Sequence, residues 1–150
     1  MQTNTQGNVW FIASLWMVYL VDLIVPIDFN SYGLVPRTLH GLIGIPLMPF
    51  LHGSWGHLLG NTIPLCILLF ILLSSRRDYV EVIVSIVILG GLLLWCFGRS
   101  ADHVGASGLV YGLVAFLIVI GFAERKPVSI LVCNRRFELS QNQRFGLNHF

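Results

Sequence analysis

Charge is what this sequence has least of. Of its 150 residues, 11% are Asp, Glu, Lys or Arg, where a soluble domain carries about 25%. Hydrophobic residues make up 55%, and the mean hydropathy is +0.78. The deficit excludes an ordinary soluble domain and points to an integral membrane protein. The net charge of +2 is too small to suggest a nucleic-acid partner. Cysteine is scarce too. Cys66, Cys96 and Cys133 are odd in number, two of them in apolar runs, which excludes a disulfide framework; they read as small apolar packers. The first eight residues hold no Lys or Arg, and no small-residue cleavage pattern follows the first apolar run. A cleaved signal peptide is therefore not expected, and that run stays as an anchor. Repeats and low-complexity tracts are absent.

What is there is a series of apolar runs with short polar connections. The expected spans are residues 9–27, 58–73, 82–97 and 104–122, each near the length a bilayer requires. Asp22 interrupts the first and Pro26 closes it; an acid there is tolerable close to the interface. Residues 29–56 contain Gly33, Pro36, Gly41, Gly44, Pro46, Pro49 and Gly53, which forbids one long helix. Their apolar content is equally unlike a solvated loop. This predicts an irregular or short-helical segment lying partly in the outer leaflet, packed on the bundle. Gly90-Gly91 would allow close helix approach. The tryptophans Trp10, Trp16, Trp55 and Trp95 suit interface anchoring. We expect one membrane domain over residues 1–132 and a polar tail over residues 133–150.

Arginine and lysine set the orientation. With a cytoplasmic amino terminus, seven basic residues (Arg76, Arg77, Arg125, Lys126, Arg135, Arg136, Arg144) lie inside and two (Arg37, Arg99) outside, as the positive-inside rule requires. The expectation is a multi-pass protein of the cell (inner) membrane, with membrane lipid as its surroundings.

Topology then brings chemistry together. The second and fourth spans both enter from outside, so His52, His57 and Asn61 share a level with Ser107. His57 and Asn61, four apart, lie on one helix face. Ser107 opens the last span, where unpaired amides are available to an anion. A serine hydroxyl with histidine and amide donors suits acyl transfer, the donors holding charge on a carbonyl oxygen. A metal site is a poorer reading: His52 and His57 are five apart, with no acid or cysteine nearby. No cofactor is expected.

Three pieces carry a resemblance: Tyr32-Gly33-Leu34-Val35-Pro36-Arg37, Pro49-Phe50-Leu51-His52-Gly53-Ser54-Trp55-Gly56-His57-Leu58-Leu59-Gly60-Asn61, and Gly105-Ala106-Ser107-Gly108. With these, residues 9–130 or so resemble the rhomboid intramembrane serine proteases. The resemblance implies an all-α, polytopic transmembrane bundle, with about four spans present of a six-span core. It implies Ser107 as nucleophile, His57 and Asn61 as oxyanion donors beside the Ser107 amide, and His52 in support. Residues 37–50 would be the family's membrane-embedded loop, and the substrates transmembrane-helix proteins cut near the outer face.

The sequence departs from the family at one point. The family's general base is a histidine on its last span, and here none is found. The only histidine after Ser107 is His149, in the polar tail on the cytoplasmic side. That tail reads as a changed reading frame or a shortened sequence, or else as a genuine short end. We therefore expect the chain to be inactive or impaired as a protease. The alternative is a non-catalytic rhomboid-like pseudoprotease that binds transmembrane helices. Plainer readings exist for single residues. Gly108 and Gly112 are spaced as a helix-contact pair, His57 and Asn61 could satisfy each other, and His40 and His103 suit an interface better than catalysis. His103, four residues before Ser107 and beside Asp102, is the one substitute base the sequence offers.

Overall fold

The structure, a computed structural model, describes residues 2–123. These form α1 (Gln2–Ile24), α2 (Leu39–Leu47), α3 (Trp55–Ser75), α4 (Tyr79–Phe97) and α5 (Ser107–Ala123), with 3-10 turns at Phe29–Tyr32 and Met48–Phe50. The polar tail and His149 lie outside the described residues. Gln6–Ile24, α3 and α4 are long and apolar enough to cross a membrane. At 1.5 Å per residue, the 21 residues of α3 reach about 32 Å, against a hydrocarbon core of about 30 Å. The fold is an all-helical membrane bundle.

Local chemistry sets the element ends. Pro26 stops α1, since the residue before a proline avoids the helical region. The Asp22 carboxylate then accepts hydrogen bonds from Phe29 N at 2.9 Å and Asn30 Nδ2 at 3.3 Å, which folds the chain back. Thr38 and Ser54 cap α2 and α3 by accepting from Gly41 N and His57 N, satisfying amides that have no partner inside the helix. Pro46 and Pro49 keep residues 39–50 to a short helix and one tight turn.

α5 lies between α3 and α4, and α1 lies against α3. The segment from Leu39 to Phe50 closes the ring between α4 and α1. Leucines at helical spacing fill the centre: Leu65, Leu69 and Leu72 on α3 meet Leu109, Leu113 and Leu117 on α5, with Leu15 and Tyr19 from α1. A smaller cluster, Leu34, Ile45 and Met48, seats α2 on Leu94 and Trp95 of α4.

α1 and α4 end, and α3 and α5 begin, at one end of this bundle, called here the site end. Depths below it follow from contacts. A methyl on Gly112 of α5 would strike Ile86 of α4. Ile86 is eleven residues from the end of α4 and Gly112 five into α5. Ser107 therefore sits about 9 Å beneath the end of α4. The helix starts at Ser107, where the sequence suggested a span from residue 104, and its first turn already lies below the end of α4. Gly91 of α4 takes Ile45 against it, so the close approach foreseen at Gly90-Gly91 is with α2. Phe50 meets Phe11 edge-on at 5.6 Å, roughly 20 Å beneath the end of α1. Residues 39–50 thus dip deep into the bundle before the chain climbs to α3.

Candidate active site

Three stretches meet at the start of α5. The first is the connection into α3. His52 is 2% exposed. Its Nδ1 lies 3.3 Å from the Phe50 carbonyl and its Nε2 lies 3.1 Å from Asn61 Nδ2. Burial holds the His52 imidazole below its ordinary value; the Phe50 carbonyl opposes this, and neighbouring His57 adds to it. The second is the first two turns of α3. Ser54 fixes where the helix begins, His57 follows one turn in, and Asn61, 5% exposed, one turn further. The His52 and His57 rings meet edge-on at 5.3 Å.

The third stretch is the approach to α5. Gly105 has φ +108, in the left-handed region that favours glycine. A methyl there would lie 2.5 Å from His57 Nε2 and 3.4 Å from Asn61 Nδ2. Glycine is needed at 105 both for its backbone angle and because the His57 ring occupies the space a side chain would take. Ala106 is fully buried, and its carbonyl accepts the first bond of α5 from Val110 N at 3.0 Å. The amides of Ser107 and Gly108 therefore start the helix without an intrahelical acceptor. Ser107 is half-buried, and among the described residues its hydroxyl has no hydrogen-bond partner.

The approach to Ser107 is itself held in place. Gly105 N donates to the Met48 carbonyl at 2.8 Å. Leu34 and His103 exchange two backbone hydrogen bonds of 2.9 Å. Arg37, with φ 59, donates to the Gly98 carbonyl at 2.8 Å and to Ser100 Oγ at 2.9 Å. Trp95 Nε1 answers with a bond to the Thr38 carbonyl at 2.8 Å. On the other side, Gly41 and Gly44 of α2 press directly on the backbone of Val35 and Gly33.

The structure thus gathers His52, His57, Asn61 and the Gly105–Ser107 turn in one place. The other two described histidines are engaged elsewhere. His40 Nε2 lies 3.1 Å from the Ser31 carbonyl, and His103 Nε2 lies 3.1 Å from the Arg99 carbonyl. Among the described residues no three His, Cys, Asp or Glu side chains come together as a metal site would need. Sequence reading overlooked the carbonyls of Met48 and Phe50, and it singled out residues 32–37 for their resemblance without assigning them the role of a strap. Ser54, three residues before His57, was a readable helix cap. The carbonyl partners left no sequence signal.

Residues 39–140 match the Rhomboid domain, about two thirds of the chain, and the chain belongs to the rhomboid family. It is an integral membrane protein. It is similar to uncharacterized proteins of Mycobacterium tuberculosis and Mycobacterium bovis, 39% identical over 129 residues, which cover 81% of this chain and 54% of theirs. An uncharacterized protein of Mycobacterium leprae is 35% identical over 130 residues, 82% of this chain and 52% of its own. The chain spans about half the length of these curated relatives. No solved structure matches it significantly.

Proposed function

We propose that this is a rhomboid-type intramembrane serine endopeptidase unit acting on transmembrane-helix proteins, impaired as it stands. One observation carries the reading: the His57 ring and the Asn61 amide converge on Gly105, two residues before Ser107, in a chain of this family. Ser107 Oγ attacks the carbonyl carbon of the scissile peptide bond. The oxygen that gains charge is held by His57, by Asn61 Nδ2 and by the Ser107 amide. Such donors act most strongly where water is excluded, and a site about 9 Å down the bundle gives that setting. With the amino terminus cytoplasmic, the site end faces outward and substrates are cut near the outer membrane face.

The Ser107 proton needs an acceptor, and no described residue sits ready to take it. A positioned base contributes about 10²–10⁴-fold, so turnover supported by the described residues alone should be lower by that order. The test presents the chain, in vesicles, with a model single-span substrate, alongside Ser107→Ala. Slow cleavage that disappears in Ser107→Ala is expected. Cleavage that Ser107→Ala leaves unchanged sinks the nucleophile.

A cleft of about 450 Å³ between α4 and α5 favours a second reading. Ser85 and Gly90 of α4 and Gly108 and Gly112 of α5 line it, with Glu81 near its other end. Small residues let helix backbones approach closely. On this reading the protein is a pseudoprotease that binds a transmembrane helix, and the same vesicles would show substrate retained uncut.

A further inference from the structure

We propose that His52 is a positioning residue that decides which end of the Asn61 amide faces the Gly105–Ser107 turn. The inference deepens the oxyanion reading above and rests on it for its consequence. Its own argument is one of hydrogen-bond polarity. A carbonyl oxygen only accepts, so the contact between His52 Nδ1 and the Phe50 carbonyl requires the proton on Nδ1. A neutral imidazole has one N–H. His52 Nε2 is then a bare lone pair and can only accept. Its neighbour, 3.1 Å away, must present a donor, which in Asn61 is Nδ2. The Phe50 carbonyl thereby fixes the imidazole tautomer, and the tautomer fixes the amide.

The consequence lies on the other side of Asn61. The Nδ2 group has two hydrogens, and His52 takes one. The same nitrogen is 3.4 Å from where a Cβ of residue 105 would stand, so the second N–H is available at the start of α5. With the amide turned over, Oδ1 would be exchanged with Nδ2, and a lone pair would face any developing oxyanion. Burial of both residues leaves no water to relieve a mismatch, and an unpaired buried polar group is costly. The relay therefore has one stable setting while His52 is neutral. Protonation of His52 places a hydrogen on Nε2, which then opposes Nδ2 and calls for Oδ1 instead, reversing the amide. His57 is the titratable group facing His52, edge-on at 5.3 Å. The Met48–Phe50 turn carries none, Tyr19 of α1 meets Trp55, and Tyr111 of α5 is exposed.

The test is spectroscopic and needs no turnover, so it stands or falls separately from the protease reading. The full chain is labelled with ¹⁵N in lipid nanodiscs, and the imidazole and side-chain amide signals are followed through an acid titration. At neutral pH, His52 is expected as the Nδ1–H tautomer. On acidification, the Asn61 amide signals should move with the same midpoint as His52. Asn61→Ala should shift the His52 midpoint, and His52→Gln, whose amide oxygen also accepts, should keep the neutral-pH Asn61 signals. An Nε2–H tautomer at neutral pH, or Asn61 signals indifferent to the His52 titration, overturns the proposal. Both of those readings come from the unsubstituted chain and do not depend on any variant folding.

Discussion

The two ends of the bundle are built differently. At the site end, residues 33–38, 48–52 and 98–105 are joined by backbone hydrogen bonds, by the Arg37 guanidinium and by glycines pressed onto carbonyls. At the opposite end, α3 turns into α4 through three residues, and within that turn Arg76 Nε and Nη2 pair with the Asp78 carboxylate, both at 2.8 Å. Each end only has to reverse the chain. The site end must also hold the start of α5 about 9 Å below the end of α4, beside His57 and Asn61. Extended backbone cannot be left unpaired at that depth, because lipid offers no hydrogen bonds. The glycines and carbonyls of the site end answer that requirement.

Substitutions should expose this contrast, with the largest effects at the glycine contacts. A Cβ on Gly41 would overlap the Val35 backbone, and overfilling a tight contact costs about 1–3 kcal/mol. Gly41→Ala should therefore lower the unfolding temperature in detergent clearly. Gly90→Ala, where nothing lies within 4 Å, should not; equal effects of the two would erase the distinction.

Gly105→Ala should be of comparable size. Its backbone angle alone should cost about 1–3 kcal/mol, and the new methyl must push the His57 ring away. The expected readout is a displaced His57 imidazole resonance together with a lower unfolding temperature. An unmoved His57 signal would contradict the contact.

Arg37→Ala should be milder, about 1 kcal/mol, because exposure weakens charge-assisted bonds otherwise worth about 1.5–3 kcal/mol each. Arg37→Lys should recover little, since one ammonium cannot reproduce a planar fork across Gly98 and Ser100. Hydrogen exchange at Gly98 and His103 measures the loss, and full recovery by lysine would refute the geometric account.

The two ends should also respond to different acid ranges. His52 is held below its ordinary 6.5, so the native state favours its neutral form. That contribution is complete above pH 6.5 and is lost as pH falls through the range beneath it. Asp78 is lowered from 3.8 to about 2, chiefly by its hydrogen bond from Arg76. Its contribution is complete above pH 3.8 and is lost only on the way to pH 2, and its exposure makes this the smallest of these effects. Stability that declines in a single step near pH 3, with none between pH 6.5 and 4, would show that the site end does not titrate as argued.

Sequence alone determined the helices, because lipid leaves little choice. A run of about twenty apolar residues without charge has to satisfy its own backbone, and only a helix does so within one segment. It also determined that His57 and Asn61 share a helix face, since four residues make about one turn. Tertiary structure decided how far down α5 begins, because depth depends on which α4 residue Gly112 meets. It decided that the glycines at 41 and 44, which read as breaks in a helix, sit inside one and bear on another backbone. It decided the engagement of His52 as well. The residue type gave a ring with two nitrogens. Only the carbonyl of Phe50 on one side and the amide of Asn61 on the other assign which nitrogen donates, because hydrogen-bond polarity is a property of neighbours that meet through the fold.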